Sequence, residues 1–437
     1  MDERTQVQAF LHRYRMDGKR RIPFQTQCAI FRQEMKEGLA GRDSSLAMLP
    51  TYIQPPARIP ADERVIALDA GGTHFRVAVV YFTSTGRPVI ENFQKYSMPG
   101  SQGKISGDEF FRKLASFVTP YLHYSHRIGF CFSYPMEMSP DGDGRLLCFT
   151  KEINVPDVEG QYIGRSLLAA LQEQRAAEEK KIVLLNDTVA VLLAGQGAAE
   201  GRIFDGFIGF ILGTGTNASY LEQNKNIQKA GNLDLEKSMI INMEWGRYNK
   251  APRGFIDRSL DQTYFDPEVY HFEKMVAGAY LGNLTLAVLK TAGSEGLFST
   301  AFSEKLAQVT RLETEHLDDF LSYPPKEENP LTPCLRVGQE KDGVIVYWLI
   351  DEILERAAFF IAVNLAGLIG YLGQGKNPCA PIGIMTEGTT FFALKGLRGK
   401  IEYFLKKYLA DTSGVRYEFL SLEHASLIGA AVAALGR

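Results

Sequence analysis

Residues 64–82 read RVIALDAGGTHFRVAVVYF, and the fold turns on how they are read. Val65, Ile66, Ala67 and Leu68 form a short apolar run that ends on Asp69. Gly71-Gly72-Thr73 interrupts it, and from Phe75 the chain resumes as period-two, β-branched sequence. The pattern predicts a strand at 64–69, a glycine turn and a second strand at 75–82. A dinucleotide turn or a P-loop would join a strand to a helix, so both readings weaken. A hairpin tip of Gly-Gly-Thr offers backbone N–H groups with no Cβ in the way, plus a hydroxyl, which suits phosphate oxygens. Taken alone, the turn could equally be a plain hairpin.

Working outward, the device recurs. Residues 204–222, FDGFIGFILGTGTNASYLE, again read strand, glycine turn, strand, with Gly213-Thr214-Gly215-Thr216 at the tip. Two such hairpins predict a duplicated architecture without duplicated sequence. Only the first turn has an acid just ahead of it, which fits one loop facing Mg²⁺ through Asp69 and the other facing phosphates alone. Between them, KIVLL (181–185) predicts a buried strand opening onto Asn186-Asp187-Thr188. Further helices are expected at 23–41 (ended by Gly38 and Gly41), 108–120, 163–178, 273–292, 301–310, 314–321, 346–372 and 426–436. A strand running into a third glycine turn is expected at 381–391. Residues 140–147 read as a polar turn, and the proline-rich 50–62 as a surface-hugging connection.

The chain has 437 residues, 45% hydrophobic and 23% charged, which predicts two lobes with a large core. A net charge of −3 carries no nucleic-acid footprint. Cys28, Cys131, Cys148, Cys334 and Cys379 form no CxxC pair, and no His cluster has metal-ligand spacing. The expectation is buried free thiols in a reducing compartment. The charged N-terminus lacks the apolar region of a signal peptide, and no run of about 18 apolar residues is apparent, so a cytoplasmic protein without a membrane partner is expected.

Several motifs in fixed order carry a family resemblance: LDAGGTHFRV, FSYP (132–135), FTKEINVPDVEG (149–160), LLNDTVAVLLAG (184–195), GFILGTGTNASY (209–220), INMEWG (241–246) and FEKMVAGAYLG (272–282). Together they resemble the hexokinase family. SSLAMLPTYI (44–53) is similar to that family's entry segment. The resemblance implies an α/β, two-lobed actin-like ATPase (ribonuclease H-like) fold, with a duplicated mixed sheet core and a cleft between lobes. It implies residues 1–60 packing on the large lobe, 61–204 as the small lobe joined by the C-terminal helix 426–437, and 205–425 as the large lobe. The implied reaction is ATP-dependent phosphorylation of the 6-hydroxyl of glucose or a related hexose, the first step of glycolysis. Mg²⁺ would accompany ATP, and the protein would be a monomer or homodimer.

A hexose presents hydroxyls around its whole rim, so a specific pocket needs carboxylates and amides from several directions. The resemblance implies Ser133, Thr150, Lys151, Asn186, Asp187, Asn217, Glu244 and Glu273 for that role, with Asp187 and Lys151 catalytic. Local sequence alone reads Asp187 as a helix N-cap. By resemblance it accepts the proton of the sugar 6-hydroxyl, and Asp69 and Asp187 hold the metal through water. The implied phosphate and ATP residues are Asp69, Gly71, Gly72, Thr73, Arg76, Gly213, Thr214, Gly215, Thr216, Gly388, Thr389 and Ser426, with 386–391 and 426–435 flanking the adenine. The chain departs from the usual family wording at His74, Phe149, Glu152, Glu387 and 424–429. Two other readings, a non-catalytic sugar sensor and a different actin-like ATPase, are disfavoured by the intact acids and turns and by the sugar set respectively.

Overall fold

Two mixed sheets carry the fold in a computed structural model that describes residues 2–18, 21–149, 153–174, 179–199 and 201–437. The strands are β1 (Leu49–Pro50), β2 (Val65–Ala70), β3 (His74–Phe82), β4 (Pro88–Ser97), β5 (Arg127–Phe132), β6 (Met136–Met138), β7 (Gly144–Leu146), β8 (Lys181–Leu185), β9 (Gly206–Leu212), β10 (Thr216–Gln223), β11 (Ser238–Asn242), β12 (Ile382–Glu387) and β13 (Tyr417–Leu420). The smaller sheet has the order β4-β3-β2-β5-β8, and the larger the order β1-β11-β10-β9-β12-β13. In each, an antiparallel hairpin is flanked by a further antiparallel strand and, on its other side, by two parallel strands, and the larger sheet adds β1 antiparallel to β11 at its edge. The expected duplication is therefore one of topology: β2-β3-β4-β5-β8 matches β9-β10-β11-β12-β13.

Strand β2 is buried on both faces, as a strand with covered sides must be. Its residues alternate: Ile66 and Leu68 join a core with Phe110, Leu114, Leu167 and Leu171, whereas Val65 and Ala67 join one with Val191, Leu427 and Ala431. The outer layer comprises helices Gly107–Val118 and Ile163–Glu173. The first of these is capped by Ser106 Oγ accepting from Glu109 N. The layer between the sheets consists of helices Asp187–Ala198 and Ala425–Leu435, the former against β9, β10 and β12, the latter against β2 and β5. They meet at Gly429, where a Cβ would stand 1.8 Å from the carbonyl oxygen of Ala190.

The larger sheet's opposite face is built on helix Glu340–Leu372, with Phe24–Leu39 and Leu397–Leu405 against it. The long helix corrects one expectation, since it has the length and hydropathy to cross a membrane. Because 89% of its apolar window is buried inside the protein, it is a core helix here.

Other expectations also change. Gly38 lies within helix Phe24–Leu39, tight against Met48, and does not end it. The connection at 50–62 begins as an edge strand: β1 pairs with β11, and Thr51 and Ile53 are buried. The turn at 140–147 contains β7, paired with β6. The helix expected at 273–292 is two, His271–Val276 and Gly278–Ser294, broken at the extended Ala277. Helix Ile163–Glu173 ends before 178; residues 175–178 lie outside the described residues. Of the free cysteines, Cys28, Cys131 and Cys334 are buried, but Cys148 and Cys379 are exposed.

Candidate active site

Each glycine turn closes on itself. In the first, Gly71 N donates to His74 O at 3.1 Å, while the Tyr134 hydroxyl donates to Gly71 O at 3.1 Å and Ser133 N to Ala70 O at 3.1 Å. Gly72 is half-buried and Thr73 exposed, its hydroxyl 2.7 Å from His74 Nδ1. In the second, Gly213 N donates to Gly215 O at 2.9 Å, and Thr214 is exposed. The turn is tied to the chain beyond it: Gly278 N donates to Gly213 O at 2.9 Å, Ala279 N to Thr214 O at 3.0 Å, and Thr390 Oγ1 to Gly213 O at 2.8 Å.

Thr216, expected to hold phosphate, is buried and already committed. Its N–H donates to Glu273 Oε2, its hydroxyl donates to Ile211 O, and the same hydroxyl accepts from Trp245 Nε1. It shapes the turn and leaves Thr214 and Gly215 to face the opening.

Acids converge beside the first turn. Asp69, at the end of β2, is buried and paired at 2.5 Å with Arg76, its cross-strand neighbour. Burial pushes its carboxyl up, the Arg76 cation opposes that, and Asp187 adds repulsion. Glu387, at the end of β12, is pushed up to about 7 by burial and then by Asp69 and Asp187. Its Oε2 is buried without a partner among the described residues, and the nearby Ser426 hydroxyl eases the rise. An orphaned carboxylate oxygen beside two further acids and a single arginine fits a hard divalent cation such as Mg²⁺, which prefers oxygen donors.

Asp187 begins helix Asp187–Ala198, but the cap is Asn186, whose Oδ1 accepts from Thr188 N at 2.9 Å. The N-cap role that local sequence gave to Asp187 thus belongs to its neighbour, and Asn186 has a structural duty besides the substrate contact expected of it. Asp187 Oδ1 accepts from Thr188 N at 2.7 Å and from its hydroxyl at 3.2 Å, which fixes the carboxylate at the positive end of the helix.

A second acid group forms on the larger sheet. Asn217 Nδ2 donates to Asn242 Oδ1 at 2.8 Å and to Glu244 Oε1 at 3.2 Å, and Asn242 Nδ2 donates to Glu244 Oε1 at 2.8 Å. Glu244 holds the left-handed conformation, φ 54°, just past β11. A non-glycine residue there is uncommon and strained by about 1–3 kcal/mol, a feature that clusters at binding sites. Burial raises the Glu244 carboxyl, and it pushes Glu273 up to about 7. Asn242 sits inside the motif INMEWG outside the expected sugar set; a buried amide closing the apolar run Met239-Ile240-Ile241 is the signal that marks it. Ser133 is half-buried, with its hydroxyl 3.9 Å from Cys131 Sγ. Thr150 and Lys151, with Glu152, lie outside the described residues.

Comparison with known proteins gives the family. Family models described as hexokinase match residues 9–196 and 207–436. The chain is 31% identical over 442 residues to hexokinase-1 of Spinacia oleracea, covering 92% of this chain and 85% of that protein. The chain belongs to the hexokinase family. It is also 30% identical over 371 residues to Homo sapiens hexokinase-3, and there it spans only 38% of the relative's length against 80% of its own. The hexokinase from Schistosoma mansoni complexed with glucose shares the fold, with a TM-score of 0.78, 23% identity and complete coverage of both chains. The two-lobed actin-like architecture is that of the family.

Beside the second turn of this hexokinase fold lies an open groove lined by Thr214, Gly278, Ala279, Thr314, Asp318 and Thr389. Arg311 and Glu313, an ion pair, sit at the same groove. The sequence reading missed its helical wall, because exposed polar residues on helix ends carry no periodic signal. Helix Ala425–Leu435 is buried throughout between the sheets, so its body is turned away from the opening and its start, at Ser426 near Glu387, is the part beside the acid cluster.

Proposed function

We propose that this chain transfers the γ-phosphoryl group of ATP to the 6-hydroxyl of glucose or a related hexose, giving ADP and hexose 6-phosphate. The reading places this step at the start of glycolysis, in the cytoplasm; free thiols, two of them exposed, suit a reducing compartment. The observation that carries it is Asp187 held at a helix start, beside the acid-flanked first turn and electrostatically coupled to Glu244 of the second acid group.

Phosphoryl transfer through a loose transition state leaves the protein mainly positioning and charge stabilisation. Asp187 accepts the proton as the sugar oxygen attacks the γ-phosphorus and the bond to the ADP oxygen breaks. Asn217, Glu244 and Glu273 orient the hexose, joined by Ser133, Asn186, Thr150 and Lys151. Gly72, Thr73, Thr214, Gly215 and Thr389 present N–H groups and hydroxyls to the phosphates, Gly71 shapes the first turn through its bond to His74 O, and the groove beside Thr314 takes the nucleoside. Asp69, Asp187 and Glu387 would hold Mg²⁺, which supplies charge neutralisation on the phosphates when bound. Arg76 serves through Asp69, by holding that carboxylate in place. A coupled assay with ATP–Mg²⁺ against glucose, mannose, fructose and N-acetylglucosamine tests reaction and specificity together; no turnover with any of them overturns the reading.

A further inference from the structure

Glu273 sits on a short helix, His271–Val276, too short to hold itself in register. Its C-terminal end is tied to the second glycine turn by Gly278 N donating to Gly213 O at 2.9 Å. Its other attachment is ionic and buried. Lys274, the residue after Glu273, turns away from the cleft with its side chain 6% exposed. Its Nζ donates to Asp261 Oδ1 at 2.7 Å and to Asp266 O at 2.6 Å, and lies 3.2 Å from Asp266 Oδ1. Asp261 is fixed in turn: its Oδ2 faces Arg253 at 3.1 Å and accepts from Glu268 N at 3.0 Å. Helix Phe255–Asp261, which carries Asp261, is anchored to the core helix by Asp257 and Arg356 through two bonds of 2.7 Å. A rigid chain of contacts therefore runs from the centre of the larger lobe to the back of Glu273.

We propose that Lys274, clamped by Asp261 and Asp266, is a positioning residue for the hexose site, holding Glu273 against the second glycine turn. The proposal rests on the reading of Glu273 as a sugar-binding carboxylate. A metal site at the same place fits less well. Asp261, Glu268 and His271 lie close enough to share an ion. But Arg253 and Lys274 already occupy both Asp261 oxygens, and a divalent cation would have to expel them.

The cation has a second effect, through charge. The groups facing Glu273 are the Thr216 amide, the carboxylates of Glu244 and Asp266, the Lys274 ammonium, and the phenols of Tyr270 and Tyr280. Burial comes first in pushing Glu273 up to about 7, and Glu244 and Asp266 push the same way. Lys274 is the cation that opposes them. Without it, Glu273 stays protonated to higher pH and loses acceptor capacity for sugar hydroxyls.

Removing Lys274 alone leaves the buried Asp261 Oδ1 without its partner and Arg253 as the remaining cation on Asp261, so the test uses the double variant Lys274→Met with Asp261→Asn, and Lys274→Arg as the charge-keeping control. Glucose binding is measured by calorimetry and kcat/KM by coupled assay from about pH 6 to about pH 8.5, with thermal melting alongside. The double variant should bind glucose about tenfold more weakly near pH 7, move the acid limb of kcat/KM to higher pH, and keep kcat within about threefold at high pH and saturating sugar. Lys274→Arg should restore the wild-type limb. A double variant that melts lower yet keeps wild-type glucose affinity and an unmoved acid limb would reduce the cluster to a purely structural role and overturn the inference. Wild-type turnover of glucose in the same assay is the control for the reaction itself; its absence removes that reading and this inference with it.

Discussion

Gly388 lies against Gly213 so closely that a Cβ on Gly388 would stand 2.6 Å from Gly213 N and 2.3 Å from Leu212 O. Its φ of 117° and ψ of 132° belong to a region that side chains rarely enter. Residues far apart in sequence thus share one edge of the phosphate cradle, with Thr390 Oγ1 bonded to the same glycine's carbonyl. Gly388→Ala should lower the melting temperature, with backbone strain alone of about 1–3 kcal/mol, and should raise the ATP KM. Gly399, on a helix with nothing near its Cβ position, is the control: Gly399→Ala should leave the ATP KM unchanged and hold or raise the melting temperature. Equal behaviour of the two variants would count against this packing.

Glu244→Gln and Glu273→Gln keep shape but replace an acceptor-only carboxylate with a mixed amide. In Glu244 the new N–H₂ would face Asn217 Nδ2 and Asn242 Nδ2, both donors. In Glu273 it would compete with the Thr216 amide. Each change should raise the glucose KM by at least about tenfold, the scale of mismatched buried hydrogen bonds. Steady-state kinetics on glucose checks this, and wild-type KM in both variants would remove the hexose from this pose.

Glu387 makes a statement about stability. Its carboxyl titrates near 7 in the folded chain and near 4.5 when free of it. The native state therefore holds the proton more tightly, and this group's contribution falls as pH rises from about 4.5 to about 7. Glu387→Gln removes that loss. Relative to wild type, the metal-free variant should gain melting temperature on going from about pH 5 to about pH 8. A difference that does not change with pH would mean that Glu387 is not the buried, repelled acid described here.

Much of this was legible in sequence because backbone geometry is local. The hairpins at 64–82 and 204–222 follow from β-branched patterning and glycine placement, the strand at 181–185 from its short apolar run, and the strand and glycine turn at 381–391 from the same signals; the duplication follows from the hairpins. What the sequence hid is set by long-range contact. That Thr216 is committed to Glu273 and Trp245 depends on residues that meet it only in the folded chain. The break at Ala277 is imposed by the tie between Gly278 and Gly213, against a continuous helical pattern. The helix expected at 426–436 is present as Ala425–Leu435, yet its place between the sheets is not readable from its own residues.

Closure of the cleft is the expected answer to water as a competing nucleophile. Ser133 and Asp187 stand with the smaller sheet, Asn217, Glu244 and Glu273 with the larger, so a hexose bridging them favours a closed state that water cannot. Saturating glucose should shrink the radius of gyration in X-ray scattering. Xylose, which lacks the 6-hydroxymethyl group, should stimulate slow ATP hydrolysis. Superimposable scattering curves with and without glucose would rule the motion out.

The central claim is that Asp187 takes the proton from the sugar hydroxyl. Its carboxylate is fixed by Thr188 N and Oγ1, while Asn186 caps the helix, so Asp187→Ala removes the base and leaves the cap in place. The most direct measurement is kcat for glucose with saturating ATP–Mg²⁺ in wild type and Asp187→Ala, paired with glucose binding by calorimetry. The expected result is a fall in kcat of about 10²–10⁴-fold or more, with only modest loss of glucose affinity. A variant that keeps more than about a tenth of wild-type turnover, when general-base assistance is worth at least about a hundredfold, would contradict the assignment.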